Sequence, residues 1–208
     1  MIQIDIRGLE TVQQFLEDQP KRTAKALKIA VNSAALWGAR QAKQEILRQV
    51  NFRSAYFGNP ANSDAPLHVG KKATENNLTT EVVARARPTS LARFSASPVS
   101  FGKQSAAVKV RVRRGKTTTF KRAFFFKLKK GAALTQDNYN VGIAVRLKPD
   151  EELDNKKTAT VKMRNGLTLL YGPSIEQLFN TVSVDISDDV LKYAEREFLR
   201  QFVRLSND

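Results

Sequence analysis

The chain has 208 residues, of which 41% are hydrophobic, and this length and composition are typical of a folded protein that buries a core. It contains no cysteine, which excludes disulfide bonds, thiolate metal sites and cysteine nucleophiles. Its 35 Lys and Arg residues against 20 Asp and Glu residues give a formal net charge of +15, which indicates an anionic partner.

Most of the excess positive charge lies in one stretch of the sequence. Residues 82–136 contain fourteen basic residues and no acidic one, and the remaining 21 basic residues are balanced by the 20 acidic ones. The fourteen are Arg85, Arg87, Arg93, Lys103, Lys109, Arg111, Arg113, Arg114, Lys116, Lys121, Arg122, Lys127, Lys129 and Lys130. A block of one sign predicts contact with phosphate or with an acidic protein surface.

The N-terminal segment predicts a strand followed by a short helix. Ile2, Ile4 and Ile6 alternate with polar residues, as in a half-buried strand, and residues 9–18 are expected to form the helix. The segment lacks the basic and then apolar layout of a signal peptide, so synthesis in the cytoplasm is expected.

A long amphipathic helix is predicted from Lys21 to about Val50. Apolar residues recur there every three or four positions and form one stripe, while most basic residues fall outside it. The stripe consists of Ala24, Leu27, Val31, Ala35, Ala39, Ala42 and Ile46. Its alanines permit close packing, either on the sheet of the same chain or on a second subunit through Leu27 and Val31.

Residues 51–77 are predicted to be an extended loop or arm, because they are rich in Gly, Pro, Asn, Ser and Asp. Phe52, Tyr56 and Phe57 would be unusual in a loop that contacts only solvent. They are expected to pack either on a partner or on the body of the same chain.

Five segments with strand-like patterns follow, at residues 78–87, 106–114, 123–129, 141–147 and 158–170. The last contains Asn165 and Gly166 between two apolar-bearing runs, which is typical of a two-residue hairpin turn. One-sided patterns of this kind favour antiparallel pairing.

Two helices are predicted at the C-terminus. Ser174 and Gln177 have the spacing of a capping box at the start of the first helix, and the second is expected to start near Ser187. The fold class predicted from all these elements is α+β, in one domain over residues 1–208. The long N-terminal helix and the C-terminal helices would pack on a mostly antiparallel sheet.

The segment 106–114 directs valines to one side and Lys109, Arg111 and Arg113 to the other. Cations spaced about 6–7 Å apart, at roughly 3.3 Å per strand residue, suit a ladder of phosphate contacts. The alternative is a basic strand face that contacts only water. The residues assigned to contact DNA or another anionic partner are Lys109, Arg111, Arg113, Arg114, Lys116, Lys127 and Lys129.

The sequence offers little for catalysis. His68 is the only histidine, and it lies in the polar arm without a recognisable nucleophile motif. The acidic residues at 150–154 lack the spacing of a calcium loop, and no glycine-rich phosphate loop is present. We therefore predict no enzyme activity, no catalytic residue, no metal and no cofactor.

Three stretches, residues 123–131 (AFFFKLKKG), 141–147 (VGIAVRL) and 170–179 (LYGPSIEQLF), resemble the phage minor tail protein Z family. More loosely, they are similar to small head–tail connector and tail-completion proteins. Residues 88–94 (PTSLARF) are a weaker match. The most specific element is Tyr171-Gly172-Pro173-Ser174, which would form a corner where a strand ends and a capped helix begins.

The resemblance implies a structural virion protein at the head-proximal end of a phage tail, made in the host cytoplasm. It implies a homo-oligomeric ring, expected to be six-fold, around the DNA passage. Its partners would be connector proteins, tail-tube or tail-terminator proteins, and double-stranded DNA, with no membrane. The predicted contact residues are Leu27, Val31, Phe52, Tyr56 and Phe57. The alternative is a soluble protein that binds nucleic acid non-specifically through residues 82–136.

Overall fold

A computed structural model describes residues 2–4, 20–101, 107–129, 140–148, 151–153, 159–163 and 166–206. They form an α+β fold, which confirms the predicted class. The helices are α1 (Pro20–Gln49) and α2 (Ile175–Ser206), with 3-10 turns at Ser54–Phe57 and Leu91–Phe94. The strands are β1 (Ile2–Ile4), β2 (Leu67–Val69), β3 (Thr80–Ala84), β4 (Thr89–Ser90), β5 (Ala107–Val110), β6 (Thr118–Lys121), β7 (Phe124–Lys127), β8 (Val141–Arg146), β9 (Ala159–Lys162) and β10 (Leu167–Gly172). The helix predicted at residues 9–18 lies outside the described residues.

The chain divides into two compact units, each assembled from segments that are distant in sequence. The first unit contains Met1–Ile46, Phe57–Arg85 and Glu176–Asp208, and the second contains Leu47–Tyr56 and Ala86–Ile175. Neither unit is a continuous stretch of the sequence.

In the first unit, α1 and α2 pack against each other in antiparallel directions. Gly38 of α1 leaves room for Val190, since a Cβ at position 38 would lie 3.0 Å from a Val190 methyl group. Trp37 stacks on Tyr193 with ring centroids 5.0 Å apart. Further towards the start of α1, buried Leu27 belongs to the same cluster as Phe198. Leu27, predicted to pack on the sheet or on a second subunit, therefore packs on α2 of its own chain.

The prediction of two C-terminal helices is wrong, because α2 is one continuous helix of 32 residues. The second helix is predicted to start near Ser187, but Ser187 lies inside α2, where its hydroxyl donates to the carbonyl of Val184 over 2.9 Å. Ser183 likewise donates to the carbonyl of Asn180 over 3.2 Å. Both serines are thus satisfied within the helix, and no glycine or proline interrupts it.

A three-stranded antiparallel sheet of order β1-β3-β2 completes the first unit. The segment 51–77, predicted to be an extended loop or arm, contributes β2 to this sheet and contains the 3-10 turn Ser54–Phe57. Asn32 of α1 fixes the same segment, since its side chain both donates to and accepts from the backbone of Ala73, over 3.0 and 2.8 Å.

The second unit contains an antiparallel sheet of order β4-β10-β8-β7, with β9 also paired to β10. The antiparallel pairing of β9 with β10 confirms a hairpin here. The predicted two-residue turn is wrong, because the amide of Met163 donates to the carbonyl of Leu167 over 2.7 Å, which leaves three residues between the two strands. Gly166, the last of the three, adopts a φ of 68°. The pattern of residues 141–147 predicts that β8 is buried on one face only. In the structure every residue from Val141 to Val145 is buried, so both faces are covered. Gly142 makes this possible, since a Cβ there would lie 2.7 Å from the ring of Phe126.

Candidate phosphate-binding face

The two-stranded sheet of β5 and β6 carries the candidate site in the second unit. Val108 pairs with Phe120, and Lys109 pairs with Thr119. Val108, Val110 and Phe120 are buried, whereas the side chain of Lys109 is exposed. The alternation of buried valines and exposed cations is therefore present, and the valines anchor the strand that presents the charges.

Hydrogen bonds to the preceding segment hold the other edge of β5. The amide of Ala96 donates to the carbonyl of Lys109, and the amide of Arg111 donates to the carbonyl of Phe94, both over 2.8 Å. The amide of Lys109 donates to the hydroxyl of Ser97 over 3.1 Å. Because their backbone is bonded in this way, the side chains of Lys109 and Arg111 project from fixed positions.

The turn between β5 and β6 presents two further cations. Gly115 adopts a φ of 76°, which closes the turn, and the amide of Lys116 donates to the carbonyl of Arg113 over 3.3 Å. Arg113 and Lys116 are both exposed there. Arg111 is oriented by a bond of 3.1 Å from its Nε to the hydroxyl of Thr117, which leaves its terminal amino groups available.

Arg114 has a structural role at the end of α1, in addition to its predicted contact with an anionic partner. Its Nε donates to the carbonyl of Leu47 over 2.7 Å, and its amide donates to the carbonyl of Gln49 over 3.2 Å. Carbonyls in the last turn of a helix have no partner within the helix, and a cation is favourable beside them. Part of this guanidinium is therefore occupied by the fold.

Lys127 and Lys129 lie on and after β7, in the other sheet of the second unit. The ammonium group of Lys127 is 5.6 Å from the ring centroid of Phe101, a cation–π contact. The buried side chain of Asn140 bonds both the amide and the carbonyl of Lys129, each over 2.6 Å. The seven predicted contact residues thus fall on two different strand pairs.

We define the cationic hairpin face as Lys109, Arg111, Arg113 and Lys116. In the part of the chain that the structure describes, none of these four side chains forms an ion pair with a carboxylate. Uncompensated like charges close together repel one another, and a bound anion relieves that repulsion. The face is therefore suited to a row of phosphates or to an acidic protein surface.

A second basic feature of this unit was not predicted from the sequence. A groove of about 610 Å³ is lined by Arg122, Arg146, Lys148, Glu151, Lys162 and Met163, among others. Arg122 pairs with Glu151, and this hydrogen bond is the main cause that lowers the pKa of the Glu151 carboxyl below its usual value. Only Arg122 belongs to the basic block, so no local pattern indicated that these residues meet.

Most of the residues predicted to contact another subunit or a partner protein are buried within their own chain. Leu27, Val31, Phe52 and Phe57 are at most 6% exposed. Phe52 packs on Tyr56 and on Phe94, with ring centroids 5.1 and 4.8 Å away. The assignment of these four residues to an intersubunit contact needs revision, because their side chains offer almost no surface to a partner.

Tyr56 is half-buried and also has partners within the chain. Its hydroxyl lies 3.3 Å from the hydroxyl of Thr89, and the guanidinium of Arg93 stacks 4.6 Å from its ring centroid. Both contacts hold the 3-10 turn Ser54–Phe57 in place.

The corner Tyr171-Gly172-Pro173-Ser174 lies between β10 and α2. Tyr171 pairs with Ser90 of β4, and Ser174 is buried directly before the helix. A Cβ at position 172 would lie 2.7 Å from the ring of Phe94. Glycine is therefore required here by close packing, whereas its φ is not in the left-handed region and does not itself require glycine.

The structure assigns His68 a local contact. Its Nδ1 lies 2.7 Å from the carbonyl oxygen of Ala65, within the same turn of chain. Among the described residues, no group of three or more His, Cys, Asp or Glu side chains could hold a metal ion. No helix in the described part is long and apolar enough to cross a membrane.

No family model, curated protein or solved structure matches this chain.

Proposed function

We propose that this chain is a structural protein of a tailed phage virion, positioned at the head-proximal end of the tail, where it bridges the tail to the head connector. The observation that carries the proposal is the cationic hairpin face. It presents four exposed cations, without carboxylate partners among the described residues, on a backbone bonded at both edges of β5. The resemblance of residues 123–131, 141–147 and 170–179 to the phage minor tail protein Z family supports the location.

The hairpin face would act by charge complementarity and without catalysis or a cofactor. Lys109 lies in β5 and Arg111 directly after it, where its amide is still bonded to Phe94; extended backbone at roughly 3.3 Å per residue would space the two about 6–7 Å apart. That spacing allows neighbouring phosphates to be bound without reading the bases. The face would line the passage for double-stranded DNA or dock on an acidic surface of a neighbouring connector, tail-tube or tail-terminator protein.

The assembly would be a homo-oligomeric ring, expected to be six-fold, through which the DNA passes. Rings of identical subunits form when a head-to-tail contact closes on itself. Because Leu27, Val31, Phe52 and Phe57 are already buried, such contacts would have to use other, exposed residues.

The same face also favours one alternative, a free protein that binds nucleic acid non-specifically. A fixed row of cations binds phosphate whether or not the protein is part of a particle. The virion function requires the chain to be present in phage particles and to form an oligomer without DNA. The alternative requires neither.

Two measurements test the proposal. Mass spectrometry of purified particles of the phage that encodes the chain should detect it in the virion, and light scattering without DNA should find an oligomer that persists at high salt. A chain that is absent from particles, remains single, and binds duplex DNA tightly only at low salt would overturn the virion function in favour of the alternative.

A further inference from the structure

The outward side of α2 carries a row of exposed apolar side chains. Val184, Leu191, Leu199 and Val203 are between 46% and 74% exposed. They are spaced by seven, eight and four residues, close to two, two and one helical turns at about 3.6 residues per turn. They therefore form one stripe, about 28 Å long at about 1.5 Å per residue. Aligned apolar side chains of this kind indicate a contact surface.

Charge is unevenly distributed along the same helix. Residues 177–190 contain three acidic residues and no basic one, whereas residues 191–206 contain four basic residues and two acidic ones. The exposed acidic residues are Asp185, Asp188 and Asp189, and the exposed basic residues are Lys192, Arg196, Arg200 and Arg204. The apolar stripe runs through both halves.

The dipole of α2 does not account for this separation of charge. Dipole effects are confined to the first and last turns of a helix, whereas Asp185 lies ten residues after the first residue, Ile175. In the described part of the chain, Asp185, Asp188 and Asp189 form no ion pair. The acidic half thus has no partner of opposite charge among the described residues.

We infer that the outward face of α2 binds α2 of a second copy of this chain, antiparallel and across a two-fold axis. Leu191 of each copy faces Leu199 of the other, so that Glu195 of each copy lies near the two-fold axis and Val184 and Val203 lie towards the two ends of the contact. The acidic half of each helix then lies beside the basic half of the other, whereas parallel pairing would place like charges together. A two-fold contact is self-complementary, so the one helix supplies both sides of it.

The contact is additional to the proposed ring and does not depend on it. A subunit that forms only this contact is a dimer. A head-to-tail ring that also forms it becomes a pair of rings related by two-fold axes. In both cases, loss of the contact halves the mass of the assembly.

The first test replaces Leu191 and Leu199 by serine in the full chain. Both side chains are exposed, so the substitutions remove the stripe without opening the core. Light scattering should find half the wild-type mass, which is 23.3 kDa if the wild type is a dimer. The matched control replaces Val161 and Met163, 50% and 47% exposed in the second unit, by serine and should leave the mass unchanged.

The second test exchanges charge between the two halves. One variant changes Asp185, Asp188 and Asp189 to lysine, and the other changes Arg196 and Arg204 to glutamate. Arg200 is left alone, because its guanidinium is already bonded to Glu197 over 2.7 and 2.8 Å. Each variant alone should lose the contact, and an equimolar mixture should restore it.

Two results would overturn the inference. One is a wild-type mass of a single chain at concentrations up to about 100 μM, where a specific dimer would be populated. The other is a mixture of the two charge variants that fails to associate although each variant is folded by circular dichroism. Duplex binding by the hairpin face is measured separately, so failure of the proposed function does not affect either result.

Discussion

The Nε of Arg114 donates a hydrogen bond to the carbonyl oxygen of Leu47 over 2.7 Å, and this contact joins the tip of the β5–β6 hairpin to the end of α1. The amide of Asn51 adds a second link, donating to the carbonyl of Val112 over 2.8 Å. A turn that carries four like charges would otherwise tend to spread apart. The end of α1 therefore fixes the place from which Arg113 and Lys116 project.

We expect Arg114→Ala to reduce stability by about 1 kcal/mol, because the carbonyl of Leu47 loses a charged donor. Urea unfolding followed by circular dichroism measures the change. Lys116→Ala removes the same charge from the same turn without touching a helix carbonyl, so it should be nearly neutral. Equal losses in the two variants would show that turn charge and not the bond to Leu47 matters.

Charge reversal of the hairpin face should weaken binding to short duplex DNA. Lys109→Glu, Arg111→Glu and Arg113→Glu together remove three phosphate contacts, so the slope of log affinity against log salt should fall in magnitude by about 3. Fluorescence anisotropy over a salt series gives this slope.

A control for that experiment must change the net charge equally. Lys21→Glu, Arg40→Glu and Lys71→Glu alter three exposed cations of the first unit and should leave the salt slope largely unchanged. If both triple variants lose affinity equally, the total charge drives binding and the hairpin face has no special role.

Local patterns were sufficient to predict several elements of this fold. The three- and four-residue spacing of small apolar residues predicts α1, and the alternation of valine with Lys109 and Arg111 predicts β5, because both patterns reflect one buried side. The glycine beside the turn likewise predicts the β9–β10 hairpin. The prediction of a helix start near Ser187 is wrong, because a serine hydroxyl can bond the backbone both at the start of a helix and in its interior.

Contacts between distant segments account for what the sequence did not reveal. Phe52 is buried because Phe94, far along the chain, packs on it, and no pattern near residue 52 distinguishes this from a contact with another subunit. The groove around Arg122 draws its other cations from two further segments, Arg146 and Lys148 at the end of β8 and Lys162 at the end of β9. The pairing order of the strands brings these residues together, and this order cannot be predicted from the spacing of residues in the sequence.

Gly172→Ala should be costly in spite of its small size. The added Cβ would meet the ring of Phe94 at 2.7 Å, and that ring is only 1% exposed and has little room to move. Overpacking of this kind costs about 1–3 kcal/mol, measurable as a lower melting temperature. Phe94→Leu, combined with Gly172→Ala, should destabilise by less than the sum of the two single changes. Strict additivity would contradict steric conflict between the two positions.

The stability of α2 should depend on pH through Glu197, which is 8% exposed. Hydrogen bonds from Arg200 hold the pKa of the Glu197 carboxyl below its usual value of 4.5, and one from Gln201 acts in the same direction. A carboxyl with a lowered pKa in the folded state stabilises the fold above its unfolded pKa, and this contribution is lost as the pH falls through the folded pKa.

Glu197→Gln should therefore lower the melting temperature at pH 6 and differ less from the wild type as the pH falls from 4.5 towards 3. Differential scanning calorimetry of both proteins across this range measures the difference. The other carboxyls that titrate in this range are present in both proteins, so their effects on the melting temperature largely cancel in the difference. Glu195→Gln is the control, since it removes one exposed carboxylate from the same helix without breaking the Arg200 contact. A constant difference between wild type and Glu197→Gln down to pH 3 would show that the lost contact is not linked to protonation of this carboxyl.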